Sequence, residues 1–190
     1  MKSKIYQFRI DIQGAKPPIW RRFKINGSDS FLKLHSVIQI IMGWGNYHLH
    51  DFEYNNIRIS DDEDADDDDF FFPKVKTLPE RNTVIDDLKL VEGDKISYTY
   101  DFGDNWRHIL KLEKIEVDTK LLHPICIKGK MNGPIEDCGG IWGYEEMLTA
   151  IKDPKHPSYE DFTEWMDECE HDPNEFNMDE INMDLKSIKL

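Results

Sequence analysis

Residues 95–108 read KISYTYDFGDNWRH, and this stretch decides the fold class. Apolar and polar residues alternate along it and place Tyr98 and Tyr100 on one face, which is typical of a strand with one buried side. Gly103-Asp104-Asn105 has the composition of a turn. A second long alternating segment follows over residues 106–117. The sequence therefore predicts two long antiparallel strands joined by a tight turn.

Upstream of this pair, the chain predicts a hairpin followed by a helix. Residues 5–12 and 19–25 both alternate, with turn residues between them. Helical spacing of apolar residues then runs over residues 30–42, after an N-cap candidate at Ser30 and before a glycine stop at Gly43. A hairpin–helix unit of this kind is typical of a β-grasp-like arrangement.

The remaining segments complete an α+β prediction. Residues 51–60 predict a short hairpin, with Asn55-Asn56 as the turn. Residues 83–90 predict one or two helical turns, and residues 124–134 one further short strand. Helices are predicted at residues 144–151, 159–169 and 178–188. We expect one domain over residues 1–190, with an antiparallel or mixed sheet and a helical C-terminal part at 142–190.

Composition excludes several protein classes. The chain has 190 residues and a formal charge of −14; 39% of its residues are hydrophobic and 12% aromatic, too many for a disordered chain. Its longest apolar runs fall well short of the roughly 20 residues of a membrane span. The N-terminus lacks a secretory apolar segment. Three cysteines favour free thiols over a disulfide framework, and we expect a cytoplasmic protein.

The negative charge is concentrated in two segments. Residues 1–60 carry a net charge of +5, residues 61–69 carry −8 and residues 132–190 carry −12. The run at 61–69 lacks the glycine and the final glutamate of an EF-hand loop, so we expect a mobile, solvated acidic loop. Direct DNA binding is disfavoured by this distribution. The acidic C-terminal third favours a basic protein partner.

The turn between the two long strands carries the first candidate site. Asp101, Asp104, Trp106 and His108 could form a carboxylate–imidazole pair beside an aromatic wall. In the alternative interpretation, Asp104 bonds the backbone of its own turn, and Trp106 and His108 share a buried strand face.

His48 and His50 form the second candidate. Two-residue spacing on a strand would place both imidazoles on one side, where Asp51 or Asp101 could complete a metal site. In the alternative, one histidine caps the end of the preceding helix and the other bonds a neighbouring backbone group.

Arg21 and Arg22 form the third candidate, beside Trp20. An arginine next to an indole could contact phosphate or stack on a base. Adjacent strand residues face opposite ways, so only one of the two can join a given site. The interpretation we favour is a core Trp20 and a salt bridge from one arginine to the acidic C-terminal helices.

The cysteines and the glycine-rich segment favour structural roles. Eleven residues separate Cys126 from Cys138, which is unlike the close pairs of structural zinc sites, so buried free thiols are expected. Gly139-Gly140 precedes a helix, but no lysine follows as in a phosphate-binding loop. We expect a tight turn that docks Trp142 on the core.

Several motifs together resemble one family, the plasmid pRiA4b ORF-3-like proteins, over about residues 4–185. The motifs are PPIWRR (17–22), LHSVIQ (34–39), MGW (42–44), HLHDF (48–52), YTYDFGDNWRH (98–108), EDCGG (136–140), WGY (142–144), and Asp172-Pro173 followed by Phe176. One departure is visible, because members often carry a cysteine where this chain has Gly133.

The resemblance implies an association with plasmids and mobile elements, where some similar proteins are labelled transposon resolvases. It supplies no catalytic residue and no cofactor. A resolvase role conflicts with the charge of −12 over residues 132–190. Two functions stay open: a binding or interaction module, and a metal-dependent hydrolase centred on His48, His50, Asp101, Asp104 and His108.

Overall fold

The computed structural model describes residues 3–61, 75–117 and 120–188. Eight strands form one mixed sheet in the order β5-β4-β3-β6-β7-β1-β2-β8. The strands are β1 (Lys4–Ile12), β2 (Trp20–Asn26), β3 (His50–Tyr54), β4 (Ile57–Ser60), β5 (Lys76–Pro79), β6 (Lys95–Tyr100), β7 (Trp106–Val117) and β8 (Ile125–Lys130). The helices are α1 (Phe31–Met42), α2 (Gly140–Ala150), α3 (Tyr159–Glu168) and α4 (Met178–Ser187), with a short 3₁₀ helix at Ile85–Leu88.

Antiparallel pairing dominates the sheet. β1 lies at its centre, paired with β2 on one side and with β7 on the other. β6 and β7 form the predicted long pair, with Tyr100 opposite Trp106. The one parallel pair of the described sheet joins β4 to β5, and the sequence did not predict β5. The α+β class and the mixed sheet are confirmed, and the β-grasp likeness stays a prediction.

α1 begins and ends as the sequence predicts. The Ser30 side chain caps its N-terminus by accepting a hydrogen bond from the Lys33 amide at 3.2 Å. Gly43 ends the helix in the left-handed conformation, with φ 78°, where a residue with a side chain would be strained. These caps fix the position at which the chain leaves α1 toward β3.

The core lies between α1, the C-terminal helices and one face of the sheet. Alternate residues of the central strands point into it, which is the period-two pattern expected of a half-buried antiparallel sheet. Fully buried examples are Phe8 and Ile10 on β1, Phe23 on β2 and Leu110 on β7. The sheet therefore has an inner, apolar face and an outer, polar face.

Charged side chains cover the outer face and pair across strands. Arg22 binds Glu113 through two hydrogen bonds of 2.6 and 2.8 Å, and Lys24 lies 2.9 Å from Glu116. The Arg9 guanidinium stacks over the Trp20 ring at 4.3 Å. Trp20 is therefore half-buried on the outer face, and its predicted place in the core is wrong.

α4 covers the edge of the sheet at β8. The Asn182 side-chain amide donates to the Cys126 carbonyl at 2.9 Å, and its oxygen accepts from the Cys126 amide at 2.8 Å. One side chain thus makes the two hydrogen bonds that a neighbouring strand residue would make.

The sequence also leads us to expect a mobile acidic loop and no membrane-spanning segment. Apart from Asp61, the acidic segment at 61–69 lies outside the described residues. Within the described ranges, every helix is too short or too polar to cross a bilayer.

Candidate functional site

Three loops meet at one end of the sheet and bring four of the eight quoted motifs together. They are residues 43–49 after α1, the β6–β7 turn at 101–105, and residues 131–139 before α2. We call this region the motif end.

Hydrogen bonds tie the three loops to one another. The Trp44 indole donates to the Pro134 carbonyl at 2.8 Å. The Glu136 carboxylate accepts from the Gly45 amide at 2.7 Å and from the Tyr100 hydroxyl. The loops are therefore held as one unit, although Gly45 and Glu136 lie 91 positions apart in the sequence.

Gly133 is required by the close approach of α1. A Cβ at this position would overlap the Met42 carbonyl oxygen. The departure noted in the sequence, glycine where similar proteins often carry cysteine, thus has a steric reason in this chain.

His48, Asp101 and Asp137 form a cluster of three donor groups at the motif end. The His48 Nε2 atom lies 3.2 Å from Asp137 Oδ1 and 3.8 Å from Asp101 Oδ2. One donor atom from each residue falls within 4.8 Å of the other two. Sequence reasoning paired His48 with Asp101 and missed Asp137, although Asp137 belongs to the quoted EDCGG motif.

The backbone sets the direction of both carboxylates. Asp101 and Asp137 have φ values of 54° and 60°, a left-handed conformation that aspartate adopts more readily than most residues. The other oxygen of Asp101, Oδ1, accepts a hydrogen bond from the Gly103 amide at 2.9 Å. Asp101 Oδ2 is thereby turned toward the imidazole.

The His48 Nε2 atom has no properly aligned hydrogen bond among the described residues, although it is shielded from solvent. Asp101 is buried and the Asp137 side chain is exposed. The cluster is therefore closed on one side and open to solvent on the other.

His50 points away from this cluster. Its Nε2 atom lies 2.7 Å from Glu80 Oε2, and the Glu80 side chain is only 1% exposed. The His50 ring stacks on His35, with ring centroids 3.4 Å apart and planes 3° apart. The predicted pairing of His48 with His50 on one side of a strand is wrong, because His48 lies in the loop before β3.

His35 belongs to a buried polar network that the sequence did not reveal. Its Nδ1 lies 2.9 Å from the Tyr98 hydroxyl and its Nε2 lies 2.7 Å from the Asn46 side-chain oxygen. Gln39 also donates to the Tyr98 hydroxyl. Burial lowers the pKa of His35 to about 3 and raises the pKa of Tyr98 well above its usual value, so both stay neutral at physiological pH.

A cleft of about 460 Å³ opens beside this network. Its buried end is formed by His35, His50, Glu80 and Ser60, and its open end by Leu49, Phe102 and Arg81. The Ser60 hydroxyl is buried with no hydrogen-bond partner among the described residues. Ser60 and Glu80 were missed because their shared backbone contact depends on the unpredicted strand β5.

Trp106 and His108 lie in the core. His108 Nδ1 is 3.0 Å from the Trp106 carbonyl and 3.3 Å from the Tyr98 carbonyl, and its ring packs edge-on against Trp44. Burial lowers the pKa of His108 to about 4. The structure thus favours the core interpretation for both residues.

The Asp104 carboxylate bonds the backbone of a neighbouring loop, so the expected bond to the backbone of its own turn is wrong; Asp101 makes that bond instead, to the Gly103 amide. Asp104 Oδ2 accepts a hydrogen bond from the Gly139 amide at 3.1 Å. A Cβ at Gly140 would overlap the Asp104 carbonyl. Asp104 thus positions the loop that carries Asp137, and it is not one of the three clustered donors.

Arg21 and Arg22 face opposite sides of the sheet, as predicted. Arg21 is buried and donates to the carbonyls of Ile41, Trp20 and Lys130 at 2.7 to 3.0 Å, and its guanidinium lies 4.8 Å from the Phe176 ring. Burial lowers the pKa of Arg21 to about 10. The expected salt bridge to the C-terminal helices is wrong, because the carboxylate partner of Arg22 lies on β7.

Cys126 and Cys138 are buried free thiols, while Cys169 is exposed. Burial, with a further contribution from Asp104, raises the pKa of Cys138 to about 12. Both buried thiols thus fit the structural role predicted for them.

Several apolar side chains are exposed around the motif end. Trp142 is 80% exposed, so its predicted docking on the core is wrong; Tyr144 is buried instead. Tyr47 and Leu49 are also largely exposed.

Comparisons with known proteins found a matching family and two similar proteins. The family described as plasmid pRiA4b ORF-3-like protein matches residues 4–180. An uncharacterized protein, y4hQ, of Sinorhizobium fredii (strain NBRC 101917 / NGR234) is 27% identical over 183 residues, which cover 96% of this chain and 91% of that protein. The crystal structure of MM3350, a protein of unknown function from Methanosarcina mazei Go1, is 36% identical, with a TM-score of 0.80 over 94% of this chain and 97% of that one. The chain therefore belongs to the plasmid pRiA4b ORF-3-like protein family.

Proposed function

We propose that this protein is a binding module whose cleft takes a small organic molecule. One observation carries the proposal: the Ser60 hydroxyl lies at the buried end of the 460 Å³ cleft, and none of the residues that the structure describes forms a hydrogen bond with it. Buried polar groups without partners are rare in folded proteins, and a ligand that hydrogen-bonds this hydroxyl would satisfy it.

The chemistry of the cleft defines the class of ligand. Its volume falls in the range of small-molecule sites, roughly 300–1,000 Å³. The buried end offers the Ser60 hydroxyl and the Glu80–His50 pair, while Leu49 and Phe102 offer apolar surface at the open end. Arg81, largely exposed at the rim, forms an ion pair with Asp61, and an anionic group of a ligand would compete with Asp61 for its guanidinium. A molecule with a polar end, an apolar body and an anionic substituent fits this arrangement.

A metal-dependent hydrolase is the alternative function. Its expected centre combined five residues, of which the structure brings only His48 and Asp101 into one donor cluster. His50 binds Glu80, Asp104 binds a backbone amide, and His108 lies in the core. The binding module is therefore the better-supported function, and hydrolysis would have to use a smaller set of groups.

A basic protein partner is a second candidate ligand of the module. The exposed side of α3 presents Glu164, Asp167 and Glu168, and the charge of −12 over residues 132–190 would attract a basic surface. The same charge disfavours direct DNA contact. The cytoplasmic location and the association with mobile elements belong to this proposal as expectations from the cysteines and the family.

The cleft can be tested with 8-anilinonaphthalene-1-sulfonate, a fluorescent probe with an apolar body and an anionic group. We expect saturable one-to-one binding to the native protein. Leu49→Ser should weaken binding about fivefold, since it removes about 1 kcal/mol of apolar contact. Leu49 is exposed, so this change should leave the fold intact.

Leu122→Ser is the matched control, because Leu122 is fully exposed and does not line the cleft. It should bind the probe like the wild type. Unsaturable binding, or equal loss in both variants, would contradict the proposed cleft.

A further inference from the structure

We infer that His48, Asp101 and Asp137 bind one divalent transition-metal ion at the motif end. The geometry supports this assignment. Two protein ligands held about 2.1 Å from a tetrahedral ion lie about 3.4 Å apart. The His48 Nε2 atom lies 3.2 and 3.8 Å from the two carboxylate oxygens, so small side-chain rotations would bring all three atoms to an ion.

The unsatisfied imidazole nitrogen is the second argument. His48 Nε2 is shielded from solvent and faces two carboxylates, and within the described part of the chain it has no aligned hydrogen bond. A shielded nitrogen of this kind costs free energy when it has no partner. A metal ion would use its lone pair and both facing oxygens at once.

Local charge also favours a cation. Asp101 and Asp137 stand beside two further acids of the motif end, Asp104 and Glu136. Within the described ranges, none of the four forms an ion pair with a lysine or an arginine. A divalent ion would supply the positive charge that these side chains do not provide.

The donor set selects the type of ion. Calcium and magnesium prefer oxygen ligands alone, whereas one imidazole with two carboxylates suits zinc, manganese, iron or cobalt. Three protein ligands leave coordination positions open for water or for a ligand group. His48 also lines the cleft, so the open positions would lie next to the proposed ligand site.

Metal binding is tested on the full chain after treatment with a chelator and buffer exchange. Zinc chloride is titrated by isothermal calorimetry, and cobalt(II) chloride by visible absorption. We expect one zinc per chain, and a cobalt spectrum that zinc abolishes. Asp101→Asn, Asp137→Asn and His48→Phe should each weaken zinc binding at least about tenfold.

The asparagine variants are chosen to preserve the fold. Asparagine tolerates the positive φ values at residues 101 and 137, and at residue 101 its oxygen can still accept from the Gly103 amide. Asp167→Asn is the matched control, because Asp167 is an exposed acid on α3. Circular dichroism of each variant confirms that the fold is retained.

Several outcomes would overturn the inference. The first is the absence of zinc binding by the wild type. The second is an affinity in the three site variants equal to that of the wild type. The third is a weakening by Asp167→Asn equal to that of the site variants. Zinc that persists in all three variants would place the ion elsewhere, for instance in the acidic segment 61–69. The probe experiment on the cleft uses no metal, so the two proposals can fail independently.

Discussion

Acid should destabilise this protein because His108 is buried in its neutral form. Burial lowers the pKa of His108 to about 4, while in the unfolded chain a histidine titrates near its ordinary value of about 6.5. Between pH 6.5 and pH 4 the unfolded chain binds a proton that the native protein does not. The free energy of unfolding therefore falls as the pH falls through this window.

The size of the effect follows from the width of the window. One histidine with these two pKa values changes the free energy of unfolding by about 1.4 kcal/mol per pH unit, or roughly 3 kcal/mol between pH 6.5 and pH 4. His35, whose pKa burial lowers to about 3, adds a similar slope over a window that extends to lower pH. Below the folded-state pKa values of both histidines, the free energy of unfolding loses no more from their titration.

Urea unfolding at half-unit steps from pH 7 to pH 4 measures this slope. His108→Asn removes the titrating group, and its side-chain amide can still donate to the Trp106 carbonyl that lies 3.0 Å from His108 Nδ1. The variant should be less stable than the wild type at pH 7, because asparagine leaves part of the ring's volume empty. Its pH slope should be shallower by about 1.4 kcal/mol per unit between pH 6 and pH 4.5.

Leu122→Ser is the control, because Leu122 is fully exposed and carries no titrating group; it should keep the wild-type slope. An unchanged slope in His108→Asn would show that His108 is accessible to protons in the native state. The buried arrangement with Trp44 would then be refuted.

Three other changes test the packing. Ser60→Ala should raise the free energy of unfolding in urea by about 1 kcal/mol, since it removes a buried hydroxyl that has no partner among the described residues; a lower free energy of unfolding would show that the hydroxyl has a partner. Gly133→Ala should lower it by about 1–3 kcal/mol, because the new Cβ would overlap Met42; a neutral result would show that the loop can move. Glu80→Ala should cost about 1.5–3 kcal/mol in the same assay by leaving His50 unpaired; unchanged stability would argue against the buried pair.

Local sequence signals predicted most elements of the fold. The serine cap and glycine stop of α1, and the Asn55-Asn56 turn with positive φ at both residues, each act within a few positions of the chain. The strand pair β6–β7 followed from alternation alone. Such elements are predictable because the residues that form the structure also carry the signals that determine it.

β5 was not predictable in this way. It is four residues long, ends in a proline, and pairs in parallel with β4 at the edge of the sheet. Its position depends on contacts with another strand, and its own sequence has too few residues to show a period. Glu80 and Ser60 were missed as a consequence, because they meet where β4 and β5 end.

The candidate site was predicted in part for a similar reason. His48 and Asp101 were named from their motifs, but the sequence does not show which side chains meet. Two-residue spacing suggested that His48 and His50 act together, and the loop before β3 turns them apart. Asp137 reaches His48 through the contacts among three loops, and no local pattern reports such contacts.

The Asn182 contact with Cys126 has a consequence for solubility. An open sheet edge invites pairing with the edge of another molecule, and on β8 that place is taken by a side chain of α4. Asn182 thus occupies the backbone groups of Cys126 that a strand of another molecule would pair with. A chain cut before residue 178 would keep its sheet but lose this cover, and we would expect it to form dimers or aggregates through β8.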